Sequence, residues 1–138
     1  MKIVIIDGQG GSIGKTIVEK MKMRLPALEI TAIGTNSIAT ATMRKAGADH
    51  SATGENPILV ACEDADLIVG TIGIIVANSL LGEITPAMAS AIGRSKAQKI
   101  LIPNNKCRVA VAGCREIPLG EAIDQAIELV LKKIELSE

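Results

Sequence analysis

Within residues 2–7, KIVIID, the unbroken apolar run Ile3–Ile6 passes through Asp7 directly into Gly8-Gln9-Gly10-Gly11-Ser12-Ile13-Gly14-Lys15. Beyond it, Ile13, Ile17, Met21 and Leu25 recur at helical spacing until Pro26 ends the pattern. A strand with no polar face must be buried on both sides. Such strands belong to parallel sheets sandwiched between helices. The opening therefore constrains the chain to a βα unit with a glycine-dense turn at its centre.

The alternation continues to the end. Glu29–Ile33 reads as a second strand, and Asn36 to Ala46 as a second helix stopped by Gly47. Ala48–Ala52 is a short candidate for an edge strand. Asn56-Pro57 has the form of an N-cap followed by proline at the first helical position, opening a helix to about Cys62. Asp66–Thr71 is a buried strand, and Thr85-Pro86 repeats the cap signature before a helix to Ile92. After the strand Gln98–Pro103, only Asn104, Asn105 and Lys106 precede the run Cys107–Gly113. So short a connection cannot cross over, so the last run is expected to pair antiparallel at the sheet edge. A helix from Leu119 to Leu136, with the stripe Ile123, Ile127, Val130, Leu131 and Ile134, closes the chain.

The fold class expected is α/β: one Rossmann-like domain over residues 1–138, a three-layer αβα sandwich. Its sheet is mostly parallel, in the order 3-2-1-4-5, with an antiparallel C-terminal edge strand. If Ala48–Ala52 is only a loop, the order shortens to 2-1-3-4 plus that edge. Either order opens a ligand crevice beside strand one, at the carboxyl ends of the strands.

Composition removes several function classes. The formal net charge is zero, with 48% apolar and 22% charged residues, so there is no basic face for nucleic acid. There is no Phe, Tyr or Trp to stack on a base or on an isoalloxazine ring. The least charged stretch, Leu67 to Gly82, is too short for a membrane span and is broken by Gly73, Asn78 and Ser79. Cys62, Cys107 and Cys114 make no short metal spacing, and His50 is the one histidine. No metal site is expected. An odd cysteine count without a signal peptide suggests reduced thiols and a cytoplasmic location.

The loop after strand one carries the main functional expectation. Gly8, Gln9, Gly10, Gly11, Ser12, Ile13, Gly14 and Lys15 place free backbone N–H groups at a helix N-terminus, where an anion is held. Lys15 opposes the helix dipole unless a bound phosphate reverses the sign. Asp7 acts against an anion unless loop N–H groups tie it up. Gly14-Lys15-Thr16 resembles the end of a nucleoside-triphosphate loop, but Gln9 stands where its first glycine belongs, and no later strand ends in an acid for Mg²⁺. Gly8-x-Gly10-x-x-Ile13 lacks the third glycine of the dinucleotide fingerprint. Gly8-x-x-x-Ser12-x-Gly14 is closer to the short-chain dehydrogenase loop, whose tyrosine chemistry is ruled out here.

Other strand ends supply small polar residues: Thr35, Asn36 and Ser37 after strand two, Thr53 after the edge strand, Thr71 and Gly73 after strand four, and Asn104-Asn105-Lys106. Thr35, Asn36 and Ser37 stand where a ribose or 2′-phosphate is received, and they equally suit the N-cap of the next helix. Glu55 and Glu83 are rim carboxylates. Residues 73–81, GIIVANSLL, are expected to cap the crevice, form a homo-oligomer interface, or both.

Together, the segments IDGQGGSIGKTIVEK, GTNSIATATMRKAGA, ATGEN and GIIVANSLLGEITPAM resemble a family of short bacterial Rossmann-like proteins known as a domain of unknown function. That resemblance implies the fold and carries no substrate or catalytic residue. The expected partner is a phosphate-bearing small molecule, with NAD(P) or another nucleotide as cofactor. Two alternatives stay open. One is an enzyme on a phosphorylated or carboxylated metabolite, with Lys15 and a rim carboxylate as acid/base pair. The other is a ligand-free homo-oligomeric interaction protein.

Overall fold

The computed structural model describes the backbone of residues 1–138 and every side chain except that of Asn105. Five strands, β1 (Ile3–Asp7), β2 (Ile30–Gly34), β3 (His50–Thr53), β4 (Leu67–Thr71) and β5 (Gln98–Ile102), form one sheet in the order β3-β2-β1-β4-β5. Every pairing is parallel, with Ile3 opposite Ile30 on one side of β1 and opposite Leu67 on the other. The helices are α1 (Ser12–Arg24), α2 (Ser37–Lys45), α3 (Glu55–Cys62), α4 (Pro86–Arg94) and α5 (Leu119–Ser137).

Both faces of the sheet are covered, which is why β1 and β4 are buried at every position. Alternate residues of β1 serve opposite cores. Ile3 and Ile5 pack with Ile17 and Met21 of α1, Met43 of α2 and Ile123 and Ile127 of α5. Val4 and Ile6 pack with Ile58 of α3 and with Met88 and Ile92 of α4. Each fully buried aliphatic side chain contributes about 1.5–3 kcal/mol, and this core contains no ring.

The three-layer architecture and the strand order match the sequence reading. The antiparallel edge strand does not form. Asn105–Cys107 is instead a single 3-10 turn, and no strand follows it among the described residues. Two local features explain the difference. Arg108 adopts φ +54°, which breaks an extended run just after Cys107. Val111 remains 46% exposed, so a strand here would have no core to cover. Helix α3 also begins earlier than Asn56-Pro57 suggests: its N-cap is Gly54, at φ +103°, and Glu55 lies in its first turn. Thr85 does cap α4 as expected, its hydroxyl accepting from the Met88 N–H at 3.1 Å, with Pro86 next.

Candidate functional site: the glycine-loop cleft

The strand order reverses direction between β1 and β4, and the crevice outside their carboxyl ends is where ligands enter sheets of this kind. A cleft of about 360 Å³ lies there, walled by the loop from Asp7 to Ile13, Thr71 of β4, Leu80, Leu81, Asn104 and Lys106. A larger recess of about 840 Å³ sits at the sheet edge, between β5, α5 and residues 109–117, with mainly aliphatic walls and none of the loop glycines at 8–14. The switch point and the loop amides favour the smaller cleft as the candidate site.

Two carboxylates hold the loop. Asp7, 8% exposed, accepts from the Gly8 N–H on Oδ1 at 2.8 Å and from the Gly14 N–H on Oδ2 at 2.7 Å. Burial pushes its pKa up, and the neighbouring charge of Glu83 adds to that. The two amide bonds pull it down without cancelling the rise. Glu83 reaches the loop from the segment that follows Leu80 and Leu81. Its Oε1 accepts from the Gln9 N–H at 2.9 Å, the Thr35 hydroxyl at 2.6 Å and the Asn36 amide at 2.7 Å. Burial acts to raise the Glu83 pKa, but these three hydrogen bonds outweigh it and the net shift is downward.

The remaining amides divide in two groups. Gly11 N–H donates to Gly8 O at 3.0 Å and Lys15 N–H to Gly11 O at 2.8 Å. Gly10, Ser12 and Ile13 N–H have no partner among the described residues, and all three residues line the cleft. Gly11 is the N-cap of α1 and offers no side-chain cap, and the first turn holds no acid. The Ser12 and Ile13 N–H groups thus stay open at the start of α1, while the Asp7 carboxylate occupies the Gly14 N–H of the same turn.

The loop glycines differ in why they are glycine. A Cβ at Gly8 would lie 2.7 Å from Thr35 Oγ1 and 2.9 Å from Leu80 Cδ1. One at Gly11, which sits at φ +77°, would lie 2.8 Å from the Ala39 backbone, and one at Gly14 would lie 2.4 Å from Met43 Sδ. Packing accounts for these three. A Cβ at Gly10 would meet nothing within 4 Å, and its φ is not positive. Nothing inside the protein requires glycine there.

The family model described as a domain of unknown function (DUF3842) matches residues 2–135. The chain belongs to that family. No curated protein matches it. Among solved structures it is similar to a dodecameric FMN-dependent UbiX-like decarboxylase from Escherichia coli O157:H7. The identity is 13% and the TM-score 0.53, with 98% of this chain and 95% of that chain covered. At that identity the likeness is one of fold.

The other expected positions fall as follows. Asn36 is the N-cap of α2, its Oδ1 accepting from the Ala39 N–H at 2.9 Å while its amide also donates to Gln9 O. It therefore bridges the glycine loop to α2, with Ser37 as the first residue of that helix. Thr53 shares a 2.7 Å hydrogen bond with Thr40 and does not line the cleft. Gly73 is buried against Cys107 Sγ, behind the cleft wall. Lys15 pairs with Glu19 at 3.9 Å and does not line the cleft, so an acid/base pair of Lys15 with a rim carboxylate is not assembled here. Glu55 accepts from the Thr85 hydroxyl at 2.6 Å, and His50 pairs with Glu29 at the surface. The Asn105 side chain, named with Asn104 and Lys106, lies outside the described residues. Among those residues no His, Cys, Asp and Glu cluster suits a metal ion, and no helix is long and apolar enough to cross a membrane.

Two parts of the cleft had no full sequence signal. Glu83 lies 74 positions from Gln9, and only the fold brings its carboxylate onto the loop. Leu80 and Leu81 belong to the segment expected to cap the crevice, but their backbone is unusual. Asn78, Leu80 and Leu81 have φ of 66°, 55° and 56°, a region that costs a bulky L-residue roughly 1–2 kcal/mol each.

Proposed function

We propose that this chain is a nucleotide-binding module in which the Gly10, Ser12 and Ile13 amides hold the phosphate of a small ligand. The observation that carries the reading is Gly10, a glycine that no contact and no backbone angle requires, at the floor of a cleft lined by unpartnered N–H groups. Gly93 and Gly120 are as little constrained, but of the three only Gly10 lines this cleft, where a glycine lets a ligand come close to the backbone.

The carboxylates beside the loop are already engaged, which leaves the central amides available to an anion. Asp7 and Glu83 occupy the Gly8, Gln9 and Gly14 amides, and each carboxylate is engaged by at least two donors. They fix the loop while leaving its central amides open. Lys106, which also lines the cleft, supplies a cation. The cleft falls near the lower end of the roughly 300–1,000 Å³ usual for small-molecule sites. The FMN-dependent neighbour of the same fold adds a phosphate-bearing cofactor to the candidates.

The test is a dye-based thermal shift with FMN, AMP, NAD, NADP and inorganic phosphate. A ligand at a hundred times its dissociation constant stabilises by about 2.7 kcal/mol. At least one of the five is expected to raise the melting temperature by several degrees, and Gly10→Asp is expected to abolish the rise. If none of the five stabilises the protein, the reading is wrong.

A further inference from the structure

We infer that Leu80 and Leu81 form a ring-covering wall of the glycine-loop cleft. The ligand class is then a phosphate monoester bearing one flat unsaturated ring system, of mononucleotide rather than dinucleotide size. This rests on the phosphate reading above and adds to it what lies beyond the phosphate.

Four observations converge. Leu80 and Leu81 line the same cleft as Gly10, Ser12 and Ile13, so an anion on those amides has an aliphatic surface facing the rest of the molecule. Leu80 is the anchored half: it packs against the core of the α3/α4 face and abuts Gly8. Leu81 is the presented half, 96% exposed at the cleft. The chain has no Phe, Tyr or Trp, so a ligand ring bound here must be covered by aliphatic side chains.

The exposure of Leu81 is built into the segment. Asn78 N–H donates to Ile84 O at 2.7 Å and Ile84 N–H returns to Ser79 O at 3.2 Å. Gly82 N–H donates to Ser79 O at 3.2 Å, and Glu83 N–H donates to Leu80 O at 3.1 Å. This network clamps Leu80 and Leu81 in the left-handed region. The same turn ends on Glu83, whose carboxylate holds the Gln9 amide, so wall and phosphate loop are one hydrogen-bonded unit. At about 360 Å³ the cleft is at the small end of small-molecule sites, which suits a mononucleotide.

The experiment compares FMN, AMP, riboflavin and inorganic phosphate by thermal shift, with FMN also followed by its own fluorescence against a protein without Trp or Tyr. FMN or AMP is expected to bind more tightly than inorganic phosphate, and riboflavin more weakly than FMN. Leu81→Asn keeps a residue that tolerates positive φ but removes the wall. It is expected to weaken the ring-bearing ligand at least about tenfold, while leaving the phosphate response and the unliganded melting temperature intact. Leu81→Met is expected to retain most of the affinity, and Gly10→Asp to abolish both responses. The inference fails, with the phosphate reading intact, if neither FMN nor AMP exceeds inorganic phosphate. It fails equally if Leu81→Asn leaves the ring-bearing ligand unaffected, including the case where light scattering shows an oligomer falling to monomers, which would assign Leu81 to a second copy. If wild type responds to none of these four probes the inference fails, and if NAD and NADP are also without effect the phosphate reading falls with it.

Discussion

Replacing each loop glycine by alanine gives two opposite stability outcomes, and the contrast tests the assignment of Gly10 without any ligand. At Gly10 the new methyl meets nothing within 4 Å, and the backbone is already in a region alanine adopts. The substitution then acts mainly on the unfolded chain, which loses conformational freedom, and stabilises by about 0.4–1 kcal/mol. At Gly11 two costs arise. Alanine at φ +77° costs roughly 1–2 kcal/mol. Its Cβ would also press on the Ala39 Cα and carbonyl at 2.8 and 2.9 Å, backbone atoms that cannot rotate away. Overpacking of that kind costs about 1–3 kcal/mol, so the sum is roughly 2–5 kcal/mol. Gly14→Ala lies between, because its nearest contact is Met43 Sδ, the far end of a flexible side chain.

Guanidinium unfolding followed by far-ultraviolet circular dichroism measures all three, since the protein has no aromatic fluorophore. Wild-type-like or raised stability is expected for Gly10→Ala, and a clear loss for Gly11→Ala. Should Gly10→Ala destabilise as much as Gly11→Ala, Gly10 would have an internal structural role, and the argument that a ligand requires it would collapse.

Three further outcomes follow from the same geometry. Glu83→Ala strips the acceptor from Gln9, Thr35 and Asn36, and is expected to lower stability by about 1–3 kcal/mol at neutral pH. Because the folded Glu83 pKa lies below 4.5, that contribution is complete above 4.5 and fades as pH falls through the folded value, so wild type and variant should converge in acid unfolding titrations. Asp7 behaves in the opposite sense. Its folded pKa lies above 3.8, so stability linked to its proton is present below 3.8 and declines as pH rises through the folded value, a trend that nuclear magnetic resonance titration of the Asp7 carboxyl should register as an elevated midpoint. Cys114 is exposed while Cys62 and Cys107 are buried with raised pKa values, so one thiol should react rapidly with an aromatic disulfide reagent and two only on unfolding; two fast thiols in the native protein would contradict this.

Most of the architecture is readable from local pattern because parallel strands and their helices each leave a periodic trace. KIVIID and DLIVGT are apolar on both faces, and α5 carries its stripe from Ile123 to Val130 into the core beside Ile17 and Met21. The reading fails where a local pattern has no face to bury. Cys107–Gly113 alternates like a strand, but α5 and the rest of β5 leave it at the periphery, and Arg108 turns the chain. Asn56-Pro57 resembles a cap, yet Gly54 at φ +103° turns the chain two residues earlier, and Pro57 is tolerated within the first turn, where no helical N–H bond is lost. Both departures are tertiary decisions written in a single residue's backbone angle.

The site was legible only as a loop, because its meaning depends on how many donors remain after the protein has used its own. From sequence, Asp7 reads as a carboxylate that acts against a phosphate unless loop N–H groups tie it up, and it does take two amides, Gly8 and Gly14. Glu83, distant in sequence, takes a third at Gln9. Those acids bind the loop at its start and at the first turn of α1, not at its centre. Were the loop a turn and nothing more, a side-chain oxygen at the N-cap would be the simple way to satisfy Ser12 or Ile13. Position 11 cannot supply one, because the Ala39 backbone excludes any side chain there. The open amides at 12 and 13 are therefore explained by the closeness of α1 to α2, whether or not a ligand binds. Gly10 is not explained in that way. It is the residue at which packing and ligand binding make different demands, so the functional reading stands or falls on that position.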